Sequence, residues 1–140
     1  MKKLVNIAFG YAFLALASGV FFREFTKFND FTEPTSLSLL HVHLMVLGTF
    51  MYLILALFSL STNLLKIKKF SLFQKIYNPG LLLMVATVLA KGIIEVLGIE
   101  MSKGLTATIS GISGIAHIAL GAAFIILFIV LRQVKLEKSK

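Results

Sequence analysis

No cysteine occurs among the 140 residues. Disulfides, thiolate-held metals and cysteine nucleophiles are thereby excluded. Tryptophan is absent too, which leaves tyrosine and phenylalanine to mark any membrane–water interface. Acidic residues are scarce: six Asp and Glu stand against 14 Lys and Arg, a net charge of +8. In a soluble chain that balance would point to nucleic acid. Here the basic side chains cluster at the ends of apolar segments, the distribution of membrane-topology signals, so no nucleic-acid partner is expected.

What the chain has in abundance is apolar sequence. It is 58% hydrophobic with a mean hydropathy of +0.94, more apolar surface than a soluble globule of this length can bury. Four runs approach or exceed the roughly 20 residues needed to span a bilayer: about 4–22, 37–60, 80–98 and 107–131. The first opens MKKLVNIAF and contains Ala15-Leu16-Ala17, which resembles a signal-peptide cleavage site. Because its apolar run continues through Phe22, a retained first helix is expected. The connections carry charges and breakers. Pro34 precedes Thr35 and Ser36, either of which can cap the second helix. Asn78-Pro79-Gly80 reads as a turn that restarts the third. No internal repeat or low-complexity linker divides the chain, so residues 1–140 are read as one all-α membrane domain, an antiparallel up-down four-transmembrane-helix bundle.

Charge asymmetry orients it. Lys2, Lys3, Lys66, Lys68, Lys69, Lys75, Arg132, Lys135, Lys138 and Lys140 fall on one side, and only Arg23, Lys27 and Lys103 on the other. By the positive-inside rule both termini are expected to be cytoplasmic, in a multi-pass protein of the cell membrane.

Two of the three histidines lie in the second span, in LLHVHLMVLG. An ionisable side chain inside a spanning helix is costly and by default marks a site. At 3.6 residues per turn His41 shares a face with Ser38, Met45, Gly48 and Tyr52, a small and polar stripe suited to meeting other helices. His43 points nearly the opposite way, among Leu40, Leu47, Phe50 and Ile54, towards lipid or a second subunit. In the fourth span His117 shares its face with Thr106, Ser110, Ser113, Gly114 and Gly121. Lys91, Glu95, Arg23 and Glu24 fall in the same half of the bundle.

Two histidines on facing helices in an apolar interior are what axial ligation of haem iron requires. His41 and His117 are the expected axial ligands, with His43 an alternative or the ligand of a second haem at a subunit contact. Gly48, Gly114 and Gly121 would leave room for a flat group beside them, Tyr52 would border it, and Arg23 or Lys91 would meet its propionates. The plainer reading is that such histidines bond a neighbouring hydroxyl or carbonyl, that the glycines serve helix packing and that Lys91 and Glu95 form an i,i+4 salt bridge. Zinc is disfavoured, because an i,i+2 pair on a helix cannot close on one ion. An i,i+2 pair serves one ligand per face, as in the HxH helix of the haem–copper oxidases, a short local likeness.

HVHLMVLGTF, LAKGIIEVLG and SGISGIAHIALG together resemble a family of small four-span membrane proteins of low-GC Gram-positive bacteria, similar to the clostridial haem-sensing membrane protein. The likeness covers nearly the whole chain and implies haem b, held noncovalently since no CxxCH is present. It also implies a role in haem tolerance or oxidative-stress defence. The expected function is therefore haem sequestration in a possible homo-oligomer within membrane lipid. No catalytic residue is assigned, and any enzymatic role would run through the redox chemistry of bound haem. Two alternatives stand from other classes: a small transporter or efflux subunit coupled through Lys91 and Glu95, and a non-catalytic accessory membrane protein.

Overall fold

The computed structural model describes residues 1–137, and Lys138 and Lys140 of the basic tail lie outside the described residues. Four helices are long and apolar enough to cross a membrane: α1 (Lys2–Phe28), α2 (Ser38–Phe58), α3 (Lys68–Val96) and α4 (Lys103–Leu131). They pack as an up-down bundle, α1 chiefly on α2 and α3 chiefly on α4. The chain is a multi-pass membrane protein by this architecture.

Apolar spacing explains the pairing. Leu4, Ala8, Tyr11 and Ala15 recur every three to four residues and form the buried stripe of α1. Ala116, Leu120, Ala123, Leu127 and Val130 do the same in α4. Small residues on both stripes let the backbones approach. The core between them is aromatic: Tyr52, Phe73 and Tyr77 are each 0% exposed. Tyr77 meets Phe73 at 4.9 Å and Phe124 at 5.6 Å between ring centroids.

The ends of the helices obey local chemistry. Asp30, at φ 48°, ends α1 in a left-handed turn, a conformation Asp tolerates better than most residues. Gly98, at φ 63°, ends α3, with Gly98 N–H donating to Glu95 O and Ile99 N–H to Ile94 O. Ser102 Oγ accepts from Leu105 N–H and caps α4. The cap of α2 is less local. Thr35 Oγ accepts from Leu37 N–H, as its position after Pro34 suggested. Ser36 N–H, however, donates to the Glu95 carboxylate of α3 at 2.6 Å, and the Ser36 and Thr35 hydroxyls donate to it at 2.9 and 3.0 Å. A methyl group at Gly92 would sit 2.6 Å from Leu37 N, so only glycine admits this approach.

Two elements depart from the sequence reading. Asn78-Pro79-Gly80 is no turn, since Pro79 lies inside a continuous α3 that begins at Lys68, about three turns before the expected restart. Packing of Phe70, Phe73 and Tyr77 holds the preceding turns helical despite the missing N–H. Within α2, Leu44–Phe50 is a π-helix, and Thr49 Oγ donates to Leu44 O five residues back. The segment interrupts the α-helical wheel, yet His41, Gly48 and Tyr52 all still meet α1.

At the other end of the bundle the tail is clipped to the α2–α3 connection. Asn63 N–H donates to Lys135 O, Lys135 N–H to Asn63 Oδ1, and Glu137 N–H to Ser61 O. Lys66 and Glu137 form an ion pair there.

Candidate functional site in the groove between α2 and α4

The three histidines share one local device. Nδ1 of His41 lies 2.9 Å from Ala15 O on α1. Nδ1 of His43 lies 2.7 Å from Leu39 O, and Nδ1 of His117 2.7 Å from Ser113 O, each on its own helix one turn back. A carbonyl oxygen only accepts, so in all three rings Nδ1 is the donor, and it is Nε2 that holds the lone pair in the neutral tautomer. A backbone or carboxylate partner on one ring nitrogen is the usual support of a histidine that binds metal through the other.

Their positions differ from the expectation of an inward His41 facing His117. His41 is half-buried against α1, where a Cβ on Gly19 would come within 3.3 Å of its Nδ1. His117 is exposed on α4. The wheel identified the small-residue stripe correctly but could not say which neighbour it meets. Gly19 of α1 supplies the room, so His41 turns there.

His43 and His117 each neighbour one cavity through the residue a turn before them. Ser36 and Leu39 of α2, Thr87, Val88 and Lys91 of α3, and Ile109, Ser110 and Ser113 of α4 line one cavity of about 270 Å³. α2 and α4 run in the same direction. His43 lies one turn, about 6 Å, beyond Leu39, and His117 one turn beyond Ser113. Each ring bonds back to the carbonyl of that same cavity-lining residue. His43 and His117 thus each lie one turn past a residue of the cavity lining, Leu39 on α2 and Ser113 on α4, while the lining itself includes neither ring.

Lys91 borders the same cavity and is 55% exposed at its side chain. Its Nζ lies 3.8 Å from Glu95 Oε1, the expected i,i+4 pair. Glu95 is already engaged by Ser36 and Thr35, which makes it a pin between α2 and α3 rather than a free carboxylate. Arg23 pairs loosely with Glu24 at 3.7 Å and is 80% exposed on α1, outside the lining of this cavity.

The remaining site candidates separate into two groups. Gly48 and Tyr52 belong to the contact between α1 and α2: a Cβ on Gly48 would meet the Tyr11 ring at 2.5 Å, and Tyr52 stacks on Tyr11 at 6.0 Å. No slot for a flat ligand opens there. Gly114 and Gly121 meet nothing within 4 Å of a Cβ and lie on the exposed face of α4 beside His117. Among the described residues no cluster of three or more His, Asp or Glu is placed to hold a metal ion. A closed structural zinc site, which draws four protein ligands, finds no such donor set there.

What the sequence reading missed is a polar cluster in the other half of the bundle. Tyr11 donates to Asn78 Oδ1 at 2.8 Å, Asn78 Nδ2 to Gln74 O at 2.9 Å, and Tyr77 to Leu47 O at 2.8 Å. Gln74 and Asn78 fall in what reads as the connection before the third span, so their i,i+4 spacing becomes a signal only once α3 is seen to begin at Lys68.

No curated protein and no solved structure matches the chain. Residues 1–134 match the model of a family of proteins of unknown function, DUF2871, and the chain accordingly belongs to that family.

Proposed function

We propose that the protein is a haem-binding integral membrane protein of the cell membrane, with both termini cytoplasmic, that sequesters haem b between His43 and His117. The observation that supports this is that His43 and His117 each donate from Nδ1 to the carbonyl of a residue lining one groove, which leaves Nε2 of the neutral ring able to coordinate. The donor set fits haem iron, which neutral imidazole ligates from both faces. A cavity of about 270 Å³ is at the small end for a ligand site, so the monomer covers only part of a porphyrin, and lipid or a second subunit would cover the rest.

In this reading the chain's own residues do four things. His43 and His117 supply the axial nitrogens. The Leu39 and Ser113 carbonyls hold those rings in the ligating tautomer. Lys91, whose pairing with Glu95 is long, offers its ammonium to a propionate. Thr87 and Val88 form the floor. The bound group would contribute one-electron redox chemistry. Because both axial positions are taken by protein, storage or electron transfer is favoured over chemistry on a substrate bound at iron.

The test is the absorption spectrum of detergent-purified protein from haem-supplemented cells, oxidised and then reduced. Wild type and the His41→Ala variant are expected to show a Soret band with sharp α and β bands on reduction. The His43→Ala/His117→Ala variant is expected to lose the band. A normal Soret band in that double variant would sink the reading. Loss in His41→Ala with retention in His43→Ala would return the ligand role to His41.

A further inference from the structure

We propose that Gln74, Asn78 and Tyr52 line a water-filled inlet reaching from the lysine-rich end of the bundle to its centre. Two buried polar atoms without a hydrogen-bond partner carry the proposal: the Tyr52 hydroxyl and Gln74 Nε2. Tyr52 is 0% exposed, and the side chains of Asn78 and Gln74 lie near its hydroxyl but outside hydrogen-bond geometry. Buried polar groups are satisfied almost without exception, and inside a membrane the penalty for an orphan is higher still. A buried water needs two to four polar partners and a polar, roomy site. The Tyr52 hydroxyl, the Gln74 amide and the Asn78 side chain supply the partners.

The water also has a way in. Gln74 lines a cavity of about 440 Å³ at the end where the N-terminus meets the α2–α3 connection, together with Lys3, Lys66, Lys68 and Ser71. That volume holds many waters at about 30 Å³ each. Ser71, Gln74 and Asn78, at i, i+3 and i+7, descend one face of α3 from this cavity. Pro79 removes one backbone donor beside them and frees the Lys75 carbonyl from its helical bond. Polar groups thus continue from the surface to Tyr52 and on, through Asn78, to Tyr11. The inlet would let protons exchange between the lysine-rich surface and mid-bundle. It stands independently of haem.

Since the wild type has no cysteine, single-cysteine variants give a clean readout. In detergent-purified protein a charged, water-soluble methanethiosulfonate reagent is expected to label Gln74→Cys and Asn78→Cys at rates approaching Ser71→Cys. Leu81→Cys, fully buried at the next turn, should stay unlabelled. Labelling of Gln74→Cys and Asn78→Cys no faster than Leu81→Cys would overturn the proposal. Tyr52→Phe gives a second, isosteric test. It removes a hydroxyl that holds water if the inlet exists, and so lowers the Tm; a raised Tm would mean that the hydroxyl is a dry orphan and would equally overturn the proposal.

Discussion

The two halves of α4 make an instructive contrast. From Ala116 to Val130 a residue is buried every three or four positions, against the aromatic core of α3. From Lys103 to Ile115 none is buried, although the helix is unbroken. The lysine-rich half of the bundle is closed by Phe70, Phe73, Tyr77, Tyr52 and Phe124. The other half is splayed, with the groove between α2 and α4 on one side and, between α1, α2 and α3, an apolar cavity of about 410 Å³ lined by Leu14, Leu40, Leu44 and Leu89. One half is packed around the aromatic layer, while in the other the packing is confined to a smaller cluster of Leu37, Leu40 and Val96 and to the Glu95 pin. That division teaches that His117, unlike Glu95, is spared the task of packing.

The contrast can be broken most forcefully from the packed half. Phe73→Ala, at a position 0% exposed, is expected to lower stability by about 3–5 kcal/mol, read as loss of the folded monodisperse species in thermal melts. If the protein tolerates it, the aromatic layer is not the fold's anchor.

A glycine pair sharpens the contrast at lower amplitude. Gly48→Ala drives a Cβ into the Tyr11 ring and should cost about 1–3 kcal/mol. Gly114→Ala meets nothing and should gain up to about 1 kcal/mol through helix propensity. Equal Tm values for the two variants would show that the splayed half is as tightly packed as the other, contrary to the structure.

The smallest effect is expected at the pin between α2 and α3. Glu95→Ala removes the acceptor for Ser36 and Thr35 and should cost about 1 kcal/mol, the scale of losing a helix cap. Unchanged stability, with faster hydrogen exchange at Ser36 N–H also absent, would leave Glu95 without its capping role.

Much of the architecture was legible in the residues. The four apolar runs, the Thr35 cap and the Lys91–Glu95 pair follow from local composition and spacing, and the structure contains each of them. The third helix was read too short because Pro79 looked like a breaker. Whether a proline ends a helix depends on what its flanks pack against, and Phe70 and Tyr77 lie in a core that sequence does not display. The His41 face was read on a uniform wheel. Which neighbour that face meets was decided by Gly19 of α1, a pairing between separate helices that the residues of α2 do not display.

By itself the sequence determined that this chain is a helical membrane protein with its cations at one end and its histidines at the other, because hydrocarbon tolerates only helices of this length and expels unpaired charge. Only the tertiary structure decided what each histidine meets, His41 turning to α1 while His43 and His117 bond back to their own helices. Partnership between side chains on separate helices depends on the rotation and neighbours of each helix, set by the small-residue contacts at Gly48 and Gly92 and by the aromatic layer beneath. It likewise decided that Tyr52, Gln74 and Asn78 converge, since residues from α2 and α3 meet only when the bundle closes.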